Sequence, residues 1–94
     1  MSLVRREWIV SGRVQGVYYR AWTKDKALHL ALTGWVKNLS DGTVKVVAEG
    51  DPQVLDLFKK DLEEGPPAAV VKEVSLISET PIKEREYREF EIKY

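Results

Sequence analysis

Trp8, Val10, Gly12 and Val14 alternate with Glu7, Ser11 and Arg13, the period of a strand with one buried face. Gly12 inside that run predicts a bulge or a close backbone approach. The alternation stops at residues 15–20, Gln-Gly-Val-Tyr-Tyr-Arg. Helical spacing follows from about Ala21 to Leu32, with Ala21, Leu28, Ala31 and Leu32 on one face. Gly34 fits the position just past a helix end. Residues 35–39 read as a second strand, Ser40-Asp41-Gly42 as a turn and the β-branched residues 43–48 as the hairpin partner. The clearest helix comes next. Asp51 is its N-cap, Pro52 takes the first helical position, and Val54, Leu55, Phe58 and Leu62 form its apolar stripe. Gly65-Pro66-Pro67 ends it, since a proline cannot continue a helix. Val70 to Ile77 predicts a strand, and Phe90, Ile92 and Tyr94 alternate in a last one. The charged stretch from Ser78 to Glu89 has little pattern and reads as a surface connection.

This order predicts an α+β fold: a ferredoxin-like split βαββαβ sandwich with both helices on one face of an antiparallel sheet and a short extra C-terminal strand. Residues 1–94 are expected to form one domain, a length that suffices for one modest core. The fold alone leaves function open, because many unrelated activities use it.

Composition narrows the chemistry. With no cysteine there is no disulfide, thiol nucleophile or thiolate-bound zinc, and one histidine excludes a multi-histidine metal site within the chain. No metal or other cofactor is expected. The N-terminal residues hold no long apolar run, so neither a signal peptide nor a membrane segment is expected, and the cytoplasm is the expected location. Net charge is zero, yet residues 1–47 carry eight Lys/Arg against three acids and residues 48–94 seven against twelve. Kept in space, that division would make one region attractive to an anion. Glu89, Glu91 and Lys93 discourage pairing of the last strand with another chain, and a monomer is expected.

The segment from Gly12 to Arg20 carries the candidate chemistry. It joins a buried strand to a helix start, where a glycine can curl the loop so that backbone N–H groups converge. The helix adds its own unpaired N–H groups and the positive end of its dipole. Arg20 adds a planar cationic fork that matches phosphate oxygens. By pattern alone, the same residues fit a tight strand–helix turn with a surface arginine equally well.

Val14-Gln15-Gly16-Val17-Tyr18-Tyr19-Arg20 resembles the acylphosphatase signature V-Q-G-V-x-F-R. Thr33 to Gly42, Thr-Gly-Trp-Val-Lys-Asn-Leu-Ser-Asp-Gly, resembles that family's second signature, G-W-V-x-N-x-x-D-G. The likeness continues through Ala48-Glu49-Gly50, Gly65-Pro66-Pro67 and Phe90-Glu91-Ile92, in matching order and spacing. Tyr19 departs from the pattern, which has Phe there; its ring is retained and its hydroxyl needs water or a partner. The resemblance implies metal-independent hydrolysis of acyl phosphates, with acyl phosphate and inorganic phosphate as ligands and no nucleic acid or membrane partner. It implies that the backbone of Gln15, Gly16, Val17, Tyr18, Tyr19 and Arg20, with the Arg20 side chain, holds the phosphoryl oxygens. Arg20 and Asn38 would be the catalytic pair, Asn38 holding the attacking water. Such a site is chemically sufficient, because a carboxylate leaves readily and phosphoryl transfer depends mostly on positioning and electrostatics.

Other residues invite roles and receive none. His29 lies four residues after Asp25, a spacing that usually makes a solvated helix contact. Asp41 in an Asp-Gly turn reads as turn chemistry. Without the resemblance, Asn38 too reads as a turn residue bonding its own backbone. Trp8, Trp22, Trp35, Tyr18 and Tyr19 suggest base stacking, but the RNA-binding run that such sheets carry is absent. The tryptophans are expected in packing and Tyr18 exposed. A non-catalytic phosphate-binding or RNA-binding module on the same fold is the alternative function.

Overall fold

The computed structural model describes residues 2–94. Its elements are β1 (Leu3–Arg13), α1 (Tyr19–His29), β2 (Thr33–Asn38), β3 (Val44–Gly50), α2 (Pro52–Glu64), β4 (Val70–Ile82) and β5 (Phe90–Lys93). The sheet order is β4-β1-β3-β2-β5. The first four strands pair antiparallel, whereas β5 runs parallel to β2. The expected ferredoxin-like sandwich is therefore present, and the short extra C-terminal strand, running parallel to its neighbour, makes the sheet mixed. The cause is the last connection. It is not a hairpin; it crosses from the β4 edge to the far edge and delivers β5 alongside β2, where Gly34 N–H donates to the Glu89 carbonyl at 2.9 Å.

Val4, Trp8, Val10, Val36, Val44, Val46 and Ala48 supply the buried face of the sheet. Leu55, Phe58 and Leu62 cover it from α2. The Trp8 and Phe58 rings meet edge to face at 5.9 Å, and Phe58 meets Phe90 at 6.1 Å, so one helix ties β1 to β5. Such ring pairs add about 0.5–1.5 kcal/mol each beyond the area they bury. No helix among the described residues is long and apolar enough to cross a membrane.

α2 follows its sequence signals: Asp51 accepts from Gln53 N–H, Pro52 begins the helix and Gly65 caps it. α1 does not. It starts two residues before Ala21 and ends at His29, and it buries Tyr19, Thr23 and Ala27. Of the expected face only Leu32 is buried, and it lies beyond the helix; Ala21, Leu28 and Ala31 are exposed. Gly34 does not end the helix either. It sits inside β2 at φ 147°, where a Cβ would come within 1.9 Å of the Val47 carbonyl oxygen, so only glycine fits. Ala31 takes the left-handed position after the helix instead, at φ 55°.

β1 starts at Leu3, before the patterned run, and β4 continues to Ile82 through residues expected in a loop. The two extensions pair with each other, Leu3 opposite Ile82 and Arg6 opposite Glu79. A register shift between Glu7 and Trp8 breaks the alternation there, and a second falls at Ser11/Gly12, where the sequence predicts a bulge. Pro81 is tolerated because β4 is an edge strand with one unpaired side.

Candidate active site

Between β1 and α1 the chain alternates inward and outward. Val14, Val17 and Tyr19 are buried in the core, while Gly16 and Tyr18 face outward. The core anchors therefore leave only the backbone of Val17 available to a ligand. Gly16 (φ 73°) and Tyr18 (φ 64°) both adopt left-handed backbone. Left-handed residues set between others in a loop are the pattern from which anion-binding concavities are made. At Gly16 the glycine requirement is conformational, since a Cβ there would meet nothing within 4 Å. α1 then begins with no side-chain cap and no acidic residue in its first turn. Its first N–H groups have no partner within the helix, and its dipole places partial positive charge at that end.

Tyr19 anchors this helix start. Its hydroxyl, the one feature absent from the signature's Phe, donates to the Leu62 carbonyl of α2 at 2.7 Å. Burial pushes the phenol well above its ordinary range, so it stays neutral. Gln15 secures the other end. Its Nε2 donates to the carbonyls of Leu39 and Thr43, both at 2.8 Å. These belong to the turn after β2, so one side chain ties the loop to the hairpin that carries Asn38.

Asn38 is the last residue of β2, two positions after buried Val36 and hence on the helix-covered face. Its Oδ1 is buried and has no hydrogen-bond partner in the protein. The turn is closed without it: Leu39 N–H donates to the Thr43 carbonyl, and Asp41 accepts from the Thr43 N–H and hydroxyl. Those two bonds hold the Asp41 carboxyl below its ordinary range, and Asp41 is thereby the turn residue that its Asp-Gly context predicts. Asn38, Arg20, Gly16 and Tyr18 share one cavity of about 360 Å³, completed by Val14, Tyr19, Ala21, Ile92 and Tyr94.

Arg20 lies at the cavity lip. Its Nη1 donates to the Lys93 carbonyl at 3.2 Å, and its guanidinium sits 4.7 Å from the centroid of the Tyr94 ring. It forms no ion pair among the described residues, unlike Arg5, Arg6 and Lys45. Lys93 and Tyr94 carry no sequence signal for this role, because β5 reaches the site only through its parallel pairing with β2. His29 and Asp25 are exposed on α1, away from the cavity lining. Trp8 is buried, Trp22 and Trp35 are half-buried, and Tyr18 is 84% exposed, as expected. No group of three or more His, Cys, Asp or Glu side chains is gathered among the described residues.

The acylphosphatase family model matches residues 6–92. The chain belongs to the acylphosphatase family. It is 55% identical to the acylphosphatase of Marinobacter nauticus over 75 residues, covering 80% of this chain and 82% of that one. It is 45% identical to the acylphosphatase of Trichormus variabilis, covering 98% and 88%. The crystal structure of acylphosphatase from Bacillus subtilis superposes with a TM-score of 0.85 at 36% identity, covering 97% and 99%. Membership favours a hydrolase over the phosphate-binding or RNA-binding module.

Proposed function

We propose that this chain hydrolyses acyl phosphates with a division of labour between two sides of one cavity. The loop amides of residues 15–20 and the Arg20 side chain hold the phosphoryl oxygens, and Asn38 orients the attacking water. The water oxygen bonds to phosphorus as the bond from phosphorus to the acyl oxygen breaks. The electron pair leaves on the carboxylate, and the water's proton passes to a phosphoryl oxygen. Asn38 is no base at neutral pH, but its Oδ1 accepts a hydrogen bond from water and fixes the line of attack. The observation that carries this reading is the buried, unpartnered Asn38 Oδ1 in the cavity it shares with Arg20 and the uncapped start of α1. A buried acceptor without a partner is costly, and function is a common reason to retain one. Chemistry without a metal, a monomeric state and a cytoplasmic location belong to the same proposal.

The test is phosphate release from an acyl phosphate in EDTA. Arg20→Gln should lower kcat by roughly 10²–10³ and raise the inhibition constant of inorganic phosphate, as expected when a preorganised donor is lost. Asn38→Ala should lower kcat comparably while leaving phosphate inhibition nearly unchanged. Normal turnover in Asn38→Ala would remove the water-positioning role, and unchanged phosphate inhibition in Arg20→Gln would remove the binding role.

A further inference from the structure

The two halves of the site come from strands that are not neighbours: the loop of residues 14–18 follows β1, Asn38 ends β2, and β3 lies between them. Val44 of β3 stands opposite both Val10 of β1 and Asn38 of β2, and the pairing of β3 with each strand stops there. Past that row the sheet no longer ties the halves together. Among the described residues, two hydrogen bonds join residues 14–18 to residues 38–43, and the Gln15 side chain makes both. Its Nε2 donates to the Leu39 and Thr43 carbonyls at 2.8 Å each, which uses both protons of the amide. The turn does not need these bonds for its own closure. The Thr43 carbonyl already accepts from Leu39 N–H at 2.8 Å, and the Leu39 carbonyl from Gly42 N–H at 3.2 Å. What the Gln15 amide adds is attachment of the turn to the loop. Leu39 directly follows Asn38, whose buried Oδ1 has no protein partner to aim it, so the backbone here sets where that oxygen stands. The Gln15 side chain is not part of the cavity wall and touches no reacting atom. We propose that Gln15 is a positioning residue for hydrolysis, acting through Asn38: its side-chain amide fixes the distance and line between the water held at Asn38 and the phosphorus held by the loop. This inference rests on the hydrolytic reading above. In-line displacement depends on that one separation, because the attacking oxygen and the phosphorus are held by different segments of the chain.

The experiment measures benzoyl phosphate hydrolysis and its inhibition by inorganic phosphate in two variants. Gln15→Met keeps the length of the side chain and removes both donors. Gln15→Glu keeps the shape and turns acceptors toward two carbonyls. In each, kcat should fall about ten- to a hundredfold, the scale of a misplaced attack line, while KM and the phosphate inhibition constant change less than about twofold. The decisive arm is the double variant with Asn38→Ala. In that background Gln15→Met should lower kcat by less than about a further twofold, because a residue that acts through Asn38 has nothing left to position. Gln15→Glu should regain part of its kcat relative to the wild type as pH falls, since a protonated carboxyl donates again to one carbonyl. Wild-type kcat in Gln15→Met, or losses that multiply fully in the double variant, would overturn the positioning role. A phosphate inhibition constant that rises with the fall in kcat in both variants would also overturn it and make Gln15 a brace of the loop or of the fold. Absence of turnover in the folded wild type would instead overturn the hydrolytic reading, and the role of Gln15 with it.

Discussion

Tyr18 and Ala31 both hold left-handed backbone without being glycine, at φ 64° and 55°. The conformation disfavours L side chains by roughly 1–2 kcal/mol, so each must be held by its surroundings. Tyr18 sits between buried Val17 and buried Tyr19 at the mouth of the site, where strain is common. Ala31 ends α1: its N–H donates to the Leu28 carbonyl at 3.1 Å, and Leu32 N–H reaches back to Ala27 at 2.9 Å. That bonding is the Schellman arrangement, in which the left-handed seat normally belongs to glycine. Ala31 is exposed, so its methyl group contributes little packing. Ala31→Gly should therefore raise stability by about 0.5–1 kcal/mol, the relief of strain exceeding the added unfolded-state entropy. Urea unfolding measures this, and kcat should not change. A lower midpoint would mean that the methyl group packs more than its exposure indicates. At this scale Arg20 and Asn38 were legible as candidates because each lies in a contiguous run that resembles a family signature. The Asn38 Oδ1 without a partner and the ring of Tyr94 over Arg20 were not, since both arise from contacts between distant segments.

The two helices differ in legibility for a physical reason. α2 presents one continuous stripe between a proline and a glycine, so spacing and stops agree. α1 buries Tyr19, Thr23 and Ala27, a face of small and polar character that apolar spacing does not reveal. The outer ends of β1 and β4 were obscured because their polar residues pair across strands. Arg6 bonds Glu79, and Glu7 accepts from the Ser78 hydroxyl at 2.8 Å while Lys45 lies 3.1 Å away. The bond from Ser78, with Lys45 adding to it, lowers the Glu7 pKa against the opposing effect of burial. Between the lowered folded value and the ordinary one, the unfolded chain binds more protons than the folded chain. The contribution is thus complete above about pH 5 and is lost as pH falls through the folded value. Glu7→Gln should accordingly lose less stability than the wild type between about pH 6 and pH 3. Urea midpoints across that range decide the matter, and parallel curves for the two proteins would assign the acid sensitivity elsewhere.

Across the whole molecule, the charge division of the sequence is largely dissolved by folding. Arg5 pairs with Glu49 and Glu86, and Arg6 with Asp56 and Glu79, so basic residues of the first half meet acids of the second. Arg20 is left outside these pairs and close to the uncapped helix. Glu49 belongs to the first of these clusters and is fully buried. Its carboxylate accepts from Arg5 Nε at 3.2 Å and from the N–H groups of Glu86 and Tyr87 at 3.0 Å, while its carbonyl accepts from Arg85. One side chain thereby pins the crossing connection to the open face of the sheet. That connection delivers β5, and β5 supplies the Lys93 carbonyl that Arg20 bonds. Glu49→Ala leaves two backbone N–H groups without their partner and Arg5 with Glu86 alone. It should cost about 3 kcal/mol, the lower end for a broken buried pair because Arg5 keeps some contact with water. The loss should also be unevenly distributed. Hydrogen exchange should quicken at residues 86–93 before it does in α2, whose core contacts do not involve Glu49. Because Arg20 borrows one of its supports from β5, phosphate inhibition should weaken in the same variant although Glu49 does not line the cavity. Uniformly faster exchange with unchanged phosphate inhibition would show that the pin stabilises the sheet as a whole and that β5 holds Arg20 without it.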